Sequence, residues 1–183
     1  MADRLWQLNQ RSRRLIDGLL ELAQSEQGIR MPEEVDLAAA VQDASEAMLP
    51  EVQARGLHIE QELQAVKVPG DRTLLERLAG NLIENAVRHN IAGGWVRVAT
   101  RVEDGQAVFT VENTGPTLAP ADVPSLFEPF RRGAQERTDS GKGAGLGLSI
   151  VRAVARAHAG KVEATARQDG GLLISVRLPR NEG

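Results

Sequence analysis

The run Gly141-Lys142-Gly143-Ala144-Gly145-Leu146-Gly147-Leu148-Ser149-Ile150-Val151 restricts this chain more than any other stretch. Four glycines at alternate positions oppose helix and strand alike, because glycine gives up more backbone freedom on folding than any other residue. The run makes physical sense as a loop whose backbone must approach something closely. It passes directly into residues 148–158, an apolar-periodic, alanine-rich helix pattern. A glycine loop feeding a helix start suits an anion, since unpaired N–H groups and the positive end of the helix dipole face outward there. The plainer reading is a flexible linker ahead of a core helix. The glycine order matches neither the P-loop pattern nor the dinucleotide-binding G-x-G-x-x-G.

A chain of 183 residues with 42% hydrophobic content can bury one core and carry an appendage. Only 3% of it is aromatic, so Leu, Val, Ile and Ala must fill that core. The net charge is −3 and no basic tract resembles a nucleic-acid footprint. Without cysteine there is neither a disulfide framework nor a thiolate metal site. No apolar run reaches the ~20 residues of a membrane span, and no signal peptide is visible. These features predict a soluble, cytoplasmic portion, with any membrane attachment supplied by segments upstream.

Two domains are expected: residues 1–30, a helical extension, and residues 31–183, an α/β domain. In the first, Leu5, Leu8, Leu15, Leu19 and Leu22 fall on a and d heptad positions, interrupted by Ser12 and Glu26. Such a helix over 4–27 wants a partner helix, or else packs on its own domain. After a linker at 31–34, Asp36 is placed to cap a helix over 37–55, bent at Pro50. Strands follow at 57–63 and 66–68, with His58 on the solvated phase.

Asp71 is placed to cap a helix reaching His89. At about 100° per residue, Asn81, Asn85, Arg88 and His89 share one arc that overlaps the apolar stripe of Leu74, Leu75, Leu78, Leu82 and Ala86. The buried side should therefore turn polar in its second half. That invites either a structural network or a ligand. Residues 95–102 and 107–111 alternate around Asp104-Gly105 and read as a hairpin. The second strand runs into the polar turn Glu112-Asn113-Thr114-Gly115-Pro116-Thr117. Leu126-Phe127-Glu128-Pro129-Phe130-Arg131-Arg132-Gly133 anchors the start of a polar lid, and strands at 161–167 and 172–178 close the chain.

Four of these stretches, in this order, resemble the ATP-binding domain of sensor histidine kinases, in the superfamily shared with DNA gyrase, Hsp90 and MutL. Residues 81–89 resemble the N box, 111–116 the G1 box, 126–133 the F box and 143–149 the G2 box. The resemblance implies an α+β fold, a two-layer α/β sandwich with helices on one face of a mixed, mostly antiparallel sheet, plus the N-terminal helical extension. It implies ATP and Mg²⁺ as cofactors. Asn85 would ligate the metal with help from Asn81, these two being the catalytic pair. Arg88 and His89 would contact phosphate or ribose, and Asn113 and Gly115 the base. Phe130, Arg131, Lys142, Gly143, Gly145, Leu146, Gly147 and Leu148 would complete the nucleotide pocket. The implied partners are a phospho-accepting histidine hairpin of the same kinase and a response regulator, with homodimerisation in the full-length protein.

Two departures stand out. The G1 box usually offers an Asp and a pair of glycines two apart; here the positions are Asn113, Gly115 and Thr117. An amide oxygen still accepts from an adenine amino group, and its NH₂ is available for the neighbouring ring nitrogen. ATP binding is expected to persist, weakened by about 1 kcal/mol. No H-E-x-R-T-P-like acceptor motif exists, and His58, His89 and His158 lie in other contexts. The leading helix then resembles the second helix of a dimerisation hairpin, as in a fragment or the kinase half of a split system. Asn81 stands where gyrase-like ATPases carry a general-base Glu, which favours phosphoryl transfer over hydrolysis. Alternatives are an anti-sigma-type protein serine kinase and a non-catalytic, nucleotide-sensing interaction module.

Overall fold

The computed structural model describes residues 29, 31–129 and 146–180. The helix expected over 4–27, the lid, and Phe130, Arg131, Lys142, Gly143 and Gly145 lie outside the described residues.

Five strands form a sheet in the order β2-β4-β5-β7-β6: β2 His58–Leu63, β4 Trp95–Glu103, β5 Gln106–Asn113, β6 Lys161–Ala166 and β7 Leu172–Leu178. All neighbouring pairs are antiparallel except β2 with β4. The β4–β5 hairpin turns at Asp104 and Gly105, whose φ values of 51° and 75° fit the Asp-Gly chemistry of a tight hairpin turn. The segment 31–34 is not simply a linker. Glu33–Asp36 forms a strand, β1, antiparallel to β3 at Lys67–Gly70, with Val35 opposite Val68.

Helix α1, Leu37–Ala54, begins at Asp36, whose carboxylate accepts from the Ala38 N–H at 3.0 Å. It continues unbroken through Pro50. Helix α2, Arg72–Arg88, is capped by Asp71, which accepts from the Leu74 N–H at 3.1 Å. Helix α3 spans Gly147–Ala157. All three cover one face of the sheet, where Val96, Val98, Phe109, Val111, Ile174 and Val176 meet the apolar sides of the helices. Among the described residues Phe109 is the largest side chain that is completely buried; aliphatic residues do most of the remaining filling.

Among the described residues no second layer covers the opposite face, and its side chains form a lattice of opposite charges. Arg97 pairs with Glu60 and Glu112, Arg167 with Glu112, and Arg177 with Glu103. The guanidiniums of Arg97 and Arg167 lie 5.0 and 4.7 Å from the Trp95 ring centre. A solvated sheet face needs this polarity on alternate residues.

The expected polar half of the buried side of α2 is not found. Leu75, Leu78, Ala79, Leu82, Ile83, Ala86 and Val87 are buried to the helix end. Asn81, Asn85 and Arg88 are half-buried along its flank, and His89 is exposed. Ile83 and Val87 carry the apolar stripe further round the helix than the leucine pattern suggests, and this rotation leaves the amides at the rim of the core.

Candidate functional site

Helices α2 and α3 run antiparallel, with Asp71 beside His158 at one end and Asn81 beside Gly147 at the other. A Cβ placed on Gly147 would lie 3.3 Å from Asn81 Oδ1. The Asn81 Nδ2 donates to the Arg77 carbonyl at 2.9 Å, and this bond turns the amide oxygen toward α3. The start of α3 differs from those of α1 and α2. Leu146 occupies the cap position, and no side chain among the described residues caps the helix. Ser149 Oγ donates to the Leu146 carbonyl at 2.7 Å, while Leu146 and Leu148 are buried in the core. Apolar anchoring thus fixes the start of α3 beside Asn81, and no described side chain takes its first N–H groups.

One turn along α2, Asn85 shares the flank with Asn81. Arg88, seven residues beyond Asn81 and so on the same side of the helix, lies 3.7 Å from Glu84. The His89 N–H closes the helix on the Asn85 carbonyl at 3.0 Å.

The β5 end comes to the same rim. Asn113 is only 5% exposed, and its Nδ2 donates to the Thr114 carbonyl at 2.7 Å. One amide hydrogen is therefore committed, and Oδ1 is the group offered as an acceptor. Gly115 fits where nothing larger would: an added Cβ would lie 2.8 Å from the His89 carbonyl and 3.2 Å from Gly171 Cα. Thr117 is exposed. Phe127 ends a 3-10 helix, Pro120–Phe127, and is buried, which roots the segment leading to Phe130.

Sequence reasoning missed Asn90. Its Nδ2 donates to the carbonyls of Ala86 and Trp95 at 3.2 and 3.0 Å, and its Oδ1 accepts from Thr114 Oγ1 at 2.6 Å. Thr114 Oγ1 in turn accepts from the Trp95 N–H at 2.8 Å. This network ties the end of α2 to the turn after β5. Its position directly behind the Asn81–His89 stretch was the available signal.

Among the described residues no group of three His, Cys, Asp or Glu side chains could hold a metal. Neutral amide oxygens and uncommitted N–H groups are what the rim offers. Such a donor set suits a hard cation that arrives with its own anionic oxygens.

Residues 70–182 match the family model for histidine kinase-, DNA gyrase B- and HSP90-like ATPases. The chain belongs to this ATPase family. Sensor protein CutS of Streptomyces coelicolor is 51% identical over 172 residues, covering 93% of this chain and 42% of that protein. Sensor protein SphS of Synechococcus elongatus is 37% identical over 192 residues, covering 98% and 46%. Full-length histidine kinase ShkA in complex with AMPPNP superposes with a TM-score of 0.79 at 25% identity, over 93% of this chain and 36% of that one. Mycobacterial sensor histidine kinase MprB gives 0.70 at 28%, over 83% and 99%. This ATPase-family domain is of the sensor histidine kinase type, and the chain spans less than half the length of these curated relatives. Among the described residues no helix is long and apolar enough to cross a membrane.

Proposed function

We propose that this chain supplies the catalytic domain of a two-component sensor histidine kinase, binding ATP with Mg²⁺ and transferring the γ-phosphoryl group to a histidine on a segment other than this domain, for relay to a response regulator. The observation that carries the proposal is the approach of Asn81 Oδ1 to the uncapped start of α3 at Gly147. It sets a cation-seeking oxygen beside anion-seeking N–H groups, and a Mg–phosphate unit satisfies both at once.

In this reading Asn85, with Asn81, offers amide oxygen to the metal, and the N–H groups of Gly147 and Leu148 receive phosphate oxygens. Asn113 Oδ1 accepts from the adenine amino group, and Gly115 lets the base approach the backbone. Phe130, Arg131, Lys142, Gly143 and Gly145 would complete the pocket beside the buried Leu146. Arg88 and His89 stand at the ribose–phosphate side. Bound Mg²⁺ supplies charge neutralisation for the phosphates. Asn81 is a neutral amide and cannot take a proton from water, which favours transfer to a protein acceptor over hydrolysis.

Calorimetric titration of the chain with AMPPNP, with and without Mg²⁺, tests the reading. Binding should depend on Mg²⁺ and fall by about 100-fold in Asn85→Ala. A chain that binds AMPPNP equally well without Mg²⁺, or an Asn85→Ala variant of undiminished affinity, would sink it. Incubation with ATP and a supplied acceptor hairpin then identifies the product. Phosphohistidine is lost in acid, whereas phosphoserine survives and would point to the serine-kinase alternative.

A further inference from the structure

We propose that His158 is a positioning residue for the nucleotide site: its ring pins the axial register of α3 against α2 and so sets the distance between the start of α3 and Asn81. The ring follows the last turn of α3 and is 5% exposed. Its Nε2 accepts from the Asp71 N–H at 3.2 Å, so the proton sits on Nδ1, which donates to the Val154 carbonyl at 2.8 Å. Beneath the ring is Gly70, where an added Cβ would come within 2.5 Å of Cδ2 and 2.6 Å of Nε2. The imidazole is thus held from α3, from the cap of α2 and from the end of β3.

The two contact points along the helix pair give the pin its reach. Asp71 and Asn81 are ten residues apart on α2, and Gly147 and His158 eleven apart on α3. At 1.5 Å per residue, His158 acts about 15 Å from the site, along a rigid element. Leu75, Leu78 and Leu82 of α2 and Ile150, Val151 and Val154 of α3 share one apolar core, whose packing is non-directional. Aliphatic packing tolerates small slips that a hydrogen bond does not. A slip of one residue would carry the α3 N–H groups about 1.5 Å from their place beside Asn81, comparable to misplacements that are costly in catalytic sites.

A pin of this kind works only while the ring is neutral, because a doubly protonated imidazole has no lone pair for the Asp71 N–H. Burial lowers the ring's pKa below its ordinary 6.5, against the opposing pull of the Val154 carbonyl and the Asp71 carboxylate. Gly70 and Leu75, the other neighbours beneath the ring, carry no charge. With the folded value below the unfolded one, the pin is intact above the ordinary histidine range and is lost as pH falls through the folded value.

The effect on nucleotide rests on the kinase reading above, so the test has one arm that needs no nucleotide. In NMR spectra of the full chain without ligand, titrated from pH 8 to 5, the Gly147 amide and the Asn81 side-chain amide should shift with the His158 midpoint. In His158→Gln, whose side-chain oxygen accepts from Asp71 without titrating, they should stay still. Signals at Gly147 and Asn81 that ignore the protonation of His158 would overturn the proposal. In the second arm, at pH 7.5, His158→Ala should bind AMPPNP–Mg²⁺ about five- to tenfold more weakly and His158→Gln within about twofold of the parent. If the alanine variant does not fold, His158→Asn, which keeps the Val154 bond but falls short of Asp71, replaces it. Unchanged affinity in the unpinned variant overturns the proposal. A parent chain that binds no AMPPNP defeats the kinase reading and leaves the NMR arm to decide the pin.

Discussion

Helices α2 and α3 begin in opposite ways. At the start of α2, Asp71 bonds the Leu74 N–H, and the Asp71 N–H is itself received by His158. At the start of α3, Leu146 and Leu148 are buried, Gly147 carries no side chain, and no described side chain caps the N–H groups. The first start is closed by the protein; no described side chain closes the second, which in the proposed reading receives the nucleotide. A closed start stabilises the fold and is indifferent to what binds, whereas an open one gives up a cap in exchange for an anion site. Stability and affinity should therefore respond separately to changes at the two ends.

The largest expected effect comes from closing the open start. Gly147→Asp places a carboxylate beside Asn81 and in the first turn of α3, a favourable place for a negative charge in a helix. Titration should show nucleotide affinity falling by about 100-fold while the urea midpoint holds or rises. An unchanged affinity would break the contrast. Overfilling the closed start comes next: Gly70→Ala drives a methyl group into the His158 ring and should cost about 2 kcal/mol in urea unfolding. Removing the cap with Asp71→Ala should cost about 1 kcal/mol and leave AMPPNP affinity within about twofold, since the backbone N–H that His158 receives remains. A large loss of affinity in this variant would show that the two ends are not separable. The smallest effect is expected on the solvated sheet face, where Arg97→Ala should move neither the urea midpoint nor the affinity beyond error, because exposed ion pairs contribute little.

Much of this was legible before any coordinates. The caps at Asp36 and Asp71, the Asp104-Gly105 hairpin and the closing strands all follow from local chemistry, and local chemistry survives folding. The glycine run was read as a loop feeding a helix start, and α3 begins inside it. A strand at 66–68 was expected, but its partner β1 escaped notice, because a four-residue strand such as Glu33–Asp36 has no pattern of its own and exists only by pairing. Helical-wheel arithmetic grouped Asn81, Asn85, Arg88 and His89 correctly, yet it could not say how far α2 is rotated onto the sheet. Ile83 and Val87 decide that rotation, and with it the rim position of the amides. Asn113 was expected to offer both halves of its amide; the Thr114 carbonyl takes one hydrogen and leaves the oxygen and the second hydrogen.

His158 marks the boundary most clearly. In the sequence it is a lone histidine before Ala159-Gly160, with nothing to separate a solvated side chain from a buried one. By itself the sequence determined most of the elements, their caps and turns, and the family, because those depend on neighbours a few positions apart. The tertiary structure alone decided that Asp71 meets His158 and Asn81 meets Gly147. Those meetings join residues 66 to 87 positions apart, and only packing two helices against one sheet face sets such distances.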